Sequence, residues 1–270
     1  MSVANIICPF CAKQAFKFPM EEIMMFLCHY CQRTMSWEMA SKFGKTKVST
    51  EQKTTEVDYS AIINRLTPIN KLPSEHEAVQ FINGRKIPND DLYYTEDLNK
   101  FLQGTKYENK FKSKSYIIIP LRSKYGLFGV QARRLDNEGP KYTTIKFVDC
   151  ATIFGRNKID NTKPIIVVEG PFDSMFVENS IAVTGSGITK IDFSGDFVYC
   201  LDNEPRSKQI VSIMKKLMKE DYKVVIWPDN IKQKDINDMV LAGIDVNTVI
   251  RENIFSGPKA LVKLSEWKKV

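Results

Sequence analysis

Long apolar runs are missing from the 270-residue sequence. No uninterrupted apolar stretch approaches the roughly 18 residues that a membrane helix requires. No basic segment near the first residue leads into an apolar secretory core, and the chain contains no internal repeat or low-complexity tract. These absences argue against a membrane span and against secretion, and they indicate a soluble protein that stays inside the cell.

The sequence also lacks a large excess of positive or negative charge. The chain has 39 basic and 32 acidic residues, which gives a formal charge of +7. This modest excess suits a polyanionic partner without proving one. The apolar content of 43% is ordinary for a globular protein, so the chain can bury a sizeable core in one large domain or two smaller ones.

Cysteines are few, but four of the six have an informative spacing. They form two Cys-x-x-Cys pairs, which are Cys8 with Cys11 and Cys28 with Cys31. In an intracellular chain this spacing favours metal over disulfide, because two tight turns can bring four thiolates to one tetrahedral Zn²⁺. Segments 15–18 and 24–27 are the predicted strands of such a zinc ribbon. Reduced structural cysteines or a redox pair are the alternatives.

The composition changes along the chain. Residues 1–45 are rich in Cys, Met and Phe, and residues 46–57 form a polar stretch that is typical of a flexible linker. Helical spacing of apolar residues from Ala78 to Ile82 predicts a short helix that ends in the region 84–88.

Two β-rich runs follow, at 116–120 and 127–130, and the turn sequence between them predicts a hairpin. Positive charges lie on or between strands in this region, at Arg122, Arg133, Arg134, Lys141 and Lys146. Such a placement is uncommon unless one face of the sheet meets an anion.

The last hundred residues alternate between strand and helix patterns. The predicted strands are 165–168, 181–184, 197–201 and 224–227. Apolar residues with helical spacing lie between them, at 172–176 and 210–217. This alternation predicts a parallel α/β sheet.

Acidic residues recur at three ends of these predicted strands. They are Glu169, Asp173, Asp202, Glu204, Asp235 and Asp238. Open α/β sheets bind ligands at the carboxyl ends of their strands, and clustered carboxylates repel one another unless cations such as Mg²⁺ or Mn²⁺ neutralise them. Phosphoryl transfer is the natural use of such a site. The alternative is that each acid is a helix cap or a solvated loop residue.

The motifs around these acids resemble those of the T-even-phage type of DNA primase. Residues 167–174 are similar to the first motif of the TOPRIM fold, 201–206 to its second motif and 234–238 to its third acidic element. Upstream, residues 118–142 resemble the basic primase subdomain and 74–88 its entry. The two cysteine pairs are similar to the zinc domain with which this family reads its template.

The resemblance implies an α/β fold, α+β upstream, with an N-terminal zinc ribbon before a primase RNA-polymerase domain that contains a TOPRIM fold. The implied domains are the ribbon at 1–45, the linker at 46–57 and the polymerase domain at 58–270. Within the last, a basic strand subdomain would cover about 58–160 and a TOPRIM subdomain about 161–255.

The resemblance also implies synthesis of short RNA primers from ribonucleoside triphosphates on single-stranded DNA, for lagging-strand replication. Glu169 is then the general base or a metal-organising acid. The implied Mg²⁺ or Mn²⁺ ligands are Glu169, Asp202, Glu204 and Asp235. Asp173 and Asp238 would support them.

Basic residues and partners follow from the same resemblance. Arg133 and Lys141 would contact nucleotide or template phosphates, with Arg122 and Lys146 as further candidates. The zinc ribbon would contact unpaired template bases. A hexameric replicative helicase is the expected partner, because a small monomer with few phosphate contacts binds DNA weakly. The expected location is the cytoplasm of a phage-infected bacterial cell.

Two other functions would use these residues differently. A TOPRIM nuclease would hydrolyse a phosphodiester with the same acids and metal ions, but the basic strands and the cysteine pairs favour synthesis. A noncatalytic zinc-dependent DNA-binding or helicase-associated module leaves the acidic strand ends unexplained, and it predicts that Glu169→Gln is harmless.

Overall fold

The fold is taken from a computed structural model, which divides the chain into two compact units. The first unit holds Met1–Val57, Asp149–Ala151 and Lys190–Ser194, and the second holds Asp58–Val148, Thr152–Thr189 and Gly195–Val270. The structure describes the backbone of four short strands up to residue 36, and then residues 59–111, 114–123, 126–136, 138–147, 150–184 and 187–270. No helix among these residues is long and apolar enough to cross a membrane.

The first unit contains a four-stranded antiparallel sheet in which each strand pairs with the next. Its strands are β1 (Ile6–Ile7), β2 (Gln14–Lys17), β3 (Met25–Leu27) and β4 (Thr34–Ser36). β2 and β3 overlap the two strands predicted between the cysteine pairs. The four cysteines and the segment 46–57 lie outside the described residues, so the zinc site and the linker stay predictions.

The second unit begins with a five-stranded antiparallel sheet in the order β5-β6-β7-β8-β9. Its strands are β5 (Thr67–Pro68), β6 (Tyr93–Thr95), β7 (Tyr116–Ser123), β8 (Gly126–Arg134) and β9 (Tyr142–Lys146). The accompanying helices are α1 (Tyr59–Ile62), α2 (Glu77–Gly84) and α3 (Leu98–Phe101), with single 3₁₀ turns at Ile63–Arg65 and Ile69–Lys71. The predicted hairpin β7–β8 and the predicted helix α2 are confirmed.

A six-stranded sheet follows, in the order β10-β12-β11-β13-β14-β15. Its strands are β10 (Ile153–Phe154), β11 (Ile165–Val168), β12 (Ser180–Val183), β13 (Phe197–Tyr199), β14 (Lys223–Val225) and β15 (Ile254–Phe255). Its helices are α4 (Pro171–Ser174), α5 (Lys208–Lys219), α6 (Ile236–Leu241), α7 (Val246–Glu252) and α8 (Gly257–Trp267). The four central strands run parallel, and the edge strands β10 and β15 are antiparallel to them.

The prediction of a mixed α/β fold is confirmed, with two differences. The predicted helical segment 172–176 forms only the short helix α4. The antiparallel edge strands were not predicted, because each has two residues and so carries no measurable period.

Both faces of the five-stranded sheet are buried. Alternation along β7 sends Ile118 to a core cluster with residues of α1 and α3. Ile117 and Ile119 face the opposite side, in a cluster that includes residues of α2 and Phe172 of α4. The second face of the five-stranded sheet therefore packs against α4. This helix follows β11 in the six-stranded sheet and begins the connection to the parallel strand β12.

Candidate active site

Acidic residues stand at the carboxyl ends of two neighbouring strands. Glu169 directly follows β11, and Asp202 lies shortly after β13. Because β11 and β13 pair in parallel, their carboxyl ends meet at one edge of the sheet. The backbone N–H of Asp202 donates to Glu169 Oε1 at 3.1 Å. The structure therefore brings these two predicted acids into contact.

Asp173 and Asp235 lie on helices beside this edge. Asp173 is in the first turn of α4, and its Oδ1 accepts the backbone N–H of Asn237 at 3.1 Å. Asp235 caps α6 by accepting the N–H of Asp238 at 2.7 Å. It therefore has the helix-cap role that the sequence left open as the alternative to cation binding. A Cβ on Gly170 would lie 2.9 Å from Asp173 Oδ2. A larger residue there would displace this carboxylate.

The acid cluster consists of Glu169, Asp173, Asp202 and Asp235. Burial raises the pKa of Asp202 to about 8, and the charges of the other three acids add to the shift. Burial also raises the pKa of Asp173 to about 6, with Asp235 as the second cause. The pKa of Glu169 is raised by burial, although the N–H of Asp202 opposes the shift. A bound cation would relieve this unfavourable concentration of negative charge.

The donors fit a hard divalent cation that keeps part of its water shell. Within the described ranges, no three His, Cys, Asp or Glu side chains are grouped closely enough to enclose a metal ion. Mg²⁺ rarely needs such a cage, because one or two carboxylates commonly bind it together with water and substrate phosphates. Glu169 and Asp202, joined by a hydrogen bond and electrostatically coupled, match that mode.

Glu204 and Asp238 differ from the acid cluster in their partners. Glu204 Oε1 pairs with Lys234 Nζ at 3.0 Å, while its charge still contributes to the raised pKa of Glu169. Asp238 is exposed, and its backbone N–H completes the cap of α6. Glu204 thus forms an ion pair with a lysine, and Asp238 is exposed at the start of α6.

Arg133 is a predicted basic residue that lies near the same tyrosine ring as Asp173. It faces Tyr142 in the register of β8 and β9. Its guanidinium carbon lies 5.0 Å from the Tyr142 ring centroid and 5.3 Å from that of Phe81. Nε and Nη1 of Arg133 are buried without a hydrogen-bond partner. Burial raises the pKa of Tyr142, and the charges of Arg133 and Asp173 act on it in opposite directions, which places both near this ring.

Sequence reasoning missed Arg85 and the contact role of Asn237. Asn237 is fully buried; its Oδ1 accepts Arg85 Nε at 2.5 Å and its Nδ2 donates to the Arg85 carbonyl at 2.7 Å. The Arg85 guanidinium carbon lies 5.8 Å from the centroid of Phe81, the ring that Arg133 also approaches. The two partners are 152 positions apart, so no spacing pattern could have found them.

The other basic candidates have different surroundings. Arg122 forms a two-pronged ion pair with Asp91, with Nε and Nη2 at 2.9 and 3.1 Å from its carboxylate oxygens. This guanidinium is therefore engaged inside the protein, a role that its position on a strand did not indicate. Lys141 is exposed directly before β9. Lys146 ends β9 on the face that Tyr142 shares, since side chains two and four residues apart point the same way.

A curated relative is the DNA primase of Enterobacteria phage T4. It is 30% identical to the chain over an alignment of 219 residues, and the match covers 75% of this chain and 63% of the phage protein. The resemblance to a T-even-phage DNA primase is confirmed. The chain spans a little under two thirds of this relative's length. No protein-family model matches the chain.

Solved primase structures are also similar to the chain. A DNA primase domain from Pseudomonas aeruginosa matches with a TM-score of 0.54 at 17% identity, over 72% of this chain and 77% of that domain. The E. coli primase catalytic core matches with a TM-score of 0.48 at 14% identity, over 77% of this chain and 79% of the core. The Pseudomonas match supports a primase-like fold.

Proposed function

We propose that the chain is a DNA primase, which synthesises short RNA primers from ribonucleoside triphosphates on single-stranded DNA for lagging-strand replication. The observation that carries the proposal is the contact between Glu169 and Asp202 at two parallel strand ends, in an acid cluster that also has Arg133 nearby. The relation to the phage T4 primase supports it.

The finer fold assignment belongs to this proposal. We assign the six-stranded sheet and its helices to a TOPRIM subdomain, since Glu169 and Asp202 follow the neighbouring parallel strands β11 and β13. The five-stranded sheet is then the basic strand subdomain. The antiparallel strands β1–β4 are compatible with a ribbon in which Cys8, Cys11, Cys28 and Cys31 bind Zn²⁺.

Mg²⁺ or Mn²⁺ is the proposed cation of the acid cluster. When bound, it would supply positive charge against the negative charge that develops on the transferred phosphoryl group and the leaving pyrophosphate. Glu169 and Asp202 would hold it, with Asp235 and Glu204 completing the ligands. Alternatively, Glu169 would accept the proton of the attacking 3′-hydroxyl as the general base.

Arg133 and Arg85 would bind the phosphates of the nucleotide. Both guanidinium groups lie against Phe81, and no described carboxylate forms an ion pair with either. The charge of Arg85 also acts on Asp173, where it opposes the rise in the pKa of that carboxyl group. Two neighbouring guanidinium groups that form no ion pair are suited to a triphosphate, which can accept hydrogen bonds from both. Lys141 and Lys146, on or directly before β9, would extend this basic surface toward the template.

The template and the helicase remain proposed partners. The zinc ribbon would contact unpaired bases, and Lys141 and Lys146 would contact template phosphates. Few phosphate contacts mean weak binding that salt weakens further, so a hexameric helicase would raise the local concentration of the primase at the template.

The test of the proposal is primer synthesis. Purified protein is incubated with Zn²⁺, Mg²⁺, four labelled ribonucleotides and mixed-sequence single-stranded DNA, with and without the helicase. We expect short RNA products from the wild type and none from Glu169→Gln. Glu178→Gln is the matched control, because Glu178 is an exposed acid whose partner is Arg251, 3.5 Å away. This control should keep full activity.

Two outcomes would replace the proposal. DNA fragments without RNA would identify a nuclease. DNA binding that depends on Zn²⁺, with neither RNA nor DNA fragments, would identify a noncatalytic module.

A further inference from the structure

The side chain of Asn203, between Asp202 and Glu204, uses all of its hydrogen-bonding groups within the protein. Nδ2 donates to the carbonyls of Ile231 and Gln233, both at 3.0 Å. Oδ1 accepts the indole N–H of Trp267 at 3.1 Å. Both polar groups of the side chain are therefore engaged within the protein.

These bonds join two loops that each end at a member of the acid cluster. Asp202 directly precedes Asn203, and the carbonyls at 231 and 233 lie on the segment that leads to Asp235. The backbone N–H of Asn203 also donates to the carbonyl of Lys234 at 2.7 Å. Three hydrogen bonds from one residue therefore set how far the Asp202 loop stands from the Asp235 loop.

Trp267 determines which way the Asn203 amide points. An indole N–H can only donate, so it binds the amide oxygen and leaves the NH₂ group to face the two carbonyls. Trp267 is 5% exposed, in the last turn of α8, and the next turn of chain is held by a bond from the Lys269 N–H to the Pro205 carbonyl at 2.8 Å. The end of α8 thus contacts the loop of Asp202 through two separate hydrogen bonds.

We propose that Asn203, oriented by Trp267, is a positioning residue that sets the spacing of Asp202 and Asp235 for the metal ion. α8, which contributes no acid to the cluster, becomes a support of the metal site. The inference rests on the proposed function for its activity readout, and on metal binding alone for its second readout.

The experiment compares Asn203→Asp and Trp267→Phe with the wild type. Asn203→Asp keeps the shape of the side chain but puts a carboxylate oxygen against carbonyl oxygens, and Trp267→Phe removes the N–H while keeping an aromatic ring. The measurement is the Mg²⁺ concentration that gives half-maximal primer synthesis. We expect an increase of about 3- to 10-fold for Trp267→Phe and a larger one for Asn203→Asp.

A structural role alone would not move this midpoint, and Asn179→Asp provides the matched control. Asn179 likewise joins loops, since its Nδ2 donates to carbonyls at 160, 163 and 164 and its Oδ1 accepts the N–H of Asp160. Asn179→Asp should lower the urea midpoint of unfolding without changing the Mg²⁺ midpoint. Excess Mg²⁺ should restore most of the activity of Trp267→Phe, and its affinity for single-stranded DNA should be unchanged.

Binding of Mn²⁺, followed by electron paramagnetic resonance without nucleotide or DNA, separates this inference from the proposed function. Weaker Mn²⁺ binding by Asn203→Asp and Trp267→Phe, with wild-type binding by Asn179→Asp, would support the positioning role even if the wild type made no RNA. Unchanged Mn²⁺ and Mg²⁺ midpoints in both variants would overturn it, whatever their stability.

Discussion

Arg133 and Arg134 are adjacent on β8, and alternation sends their side chains to opposite faces of the sheet. Arg134 pairs with Asp136 at 2.5 Å and donates to the carbonyl of Glu138 at 3.0 Å. Arg133 instead lies against two aromatic rings with two buried N–H atoms unpaired. Arg133 is partly buried, and unpaired N–H groups away from water are unfavourable, so Arg133 is the arginine that a phosphate would stabilise.

Arg133→Ala should therefore lower kcat/KM for ribonucleotides by about 10- to 100-fold, the loss expected for a hydrogen-bonded charge. Steady-state primer synthesis at varied nucleotide concentration measures it. Arg134→Ala is the matched control and should lower the urea midpoint slightly while leaving kcat/KM near the wild-type value. An equal loss of kcat/KM in both variants would contradict the assignment of Arg133 to the phosphates.

The parallel strands β11 and β13 and the helices beside them hold several carboxylates close together. The negative charges of these carboxylates repel one another. Glu169 and Asp202 meet because parallel strands end at the same edge. α4 and α6 add Asp173 and Asp235, whose charges raise the pKa of Asp202 further. The local arrangement is thus electrostatically unfavourable, and a bound cation would relieve it.

Without Mg²⁺, the protein should become less stable as the pH rises from 5 to 9. The pKa of Asp173 is about 6 and that of Asp202 about 8 in the folded protein, against an ordinary value of 3.8. Below pH 3.8 both carboxyl groups are protonated in the folded and in the unfolded protein, and the stabilisation that comes from their raised pKa values is complete. As the pH rises through 6 and then 8 the folded state loses its extra protons, and the stabilisation disappears. Urea midpoints at several pH values measure the effect.

Asp202→Asn is the control for this pH dependence, because it removes the most shifted carboxyl group. Its urea midpoint should vary less with pH than that of the wild type, and added Mg²⁺ should also flatten the wild-type curve. A wild-type midpoint that is constant or rises between pH 5 and 9 would show that the acid cluster is not electrostatically unfavourable.

Across the second unit, the two sheets meet through a small polar and aromatic contact. Arg85 follows α2 beside the five-stranded sheet, and Asn237 lies on α6 of the six-stranded sheet. Phe172 of α4 packs against Phe81 and Tyr142, with ring centroids 6.0 and 6.3 Å apart. The relative placement of the acids and the arginines therefore depends on this contact between the sheets.

Asn237→Leu should cost roughly 2–3 kcal/mol of unfolding free energy, because it leaves a buried carbonyl and a guanidinium N–H of Arg85 unpaired. It should also lower kcat/KM, since Arg85 and the N–H bound to Asp173 would shift. Urea unfolding of Asn237→Leu, Arg85→Ala and the double variant measures the coupling. Strictly additive losses would mean that the two residues do not support each other.

Local patterns predicted the elements that have a clear period. β7 and β8 lie where two β-rich runs and a turn sequence predicted a hairpin, and α5 lies where helical spacing predicted a helix. The short helix α4 and the two-residue edge strands contain too few residues to show a period. The acidic strand ends belong to the predictable part, because parallel pairing follows from strand and helix alternation.

The partners of the arginines could not be predicted from the sequence. Arg122 looked like a phosphate contact, but it pairs with Asp91, which precedes it by 31 residues. Arg85 carried no signal, and it reaches the site through Asn237, 152 residues later. Periodicity reports only which residues share a face of one element. Which charges are neutralised inside the protein, and which stay available for a ligand, depends on how the packed sheets bring distant elements together.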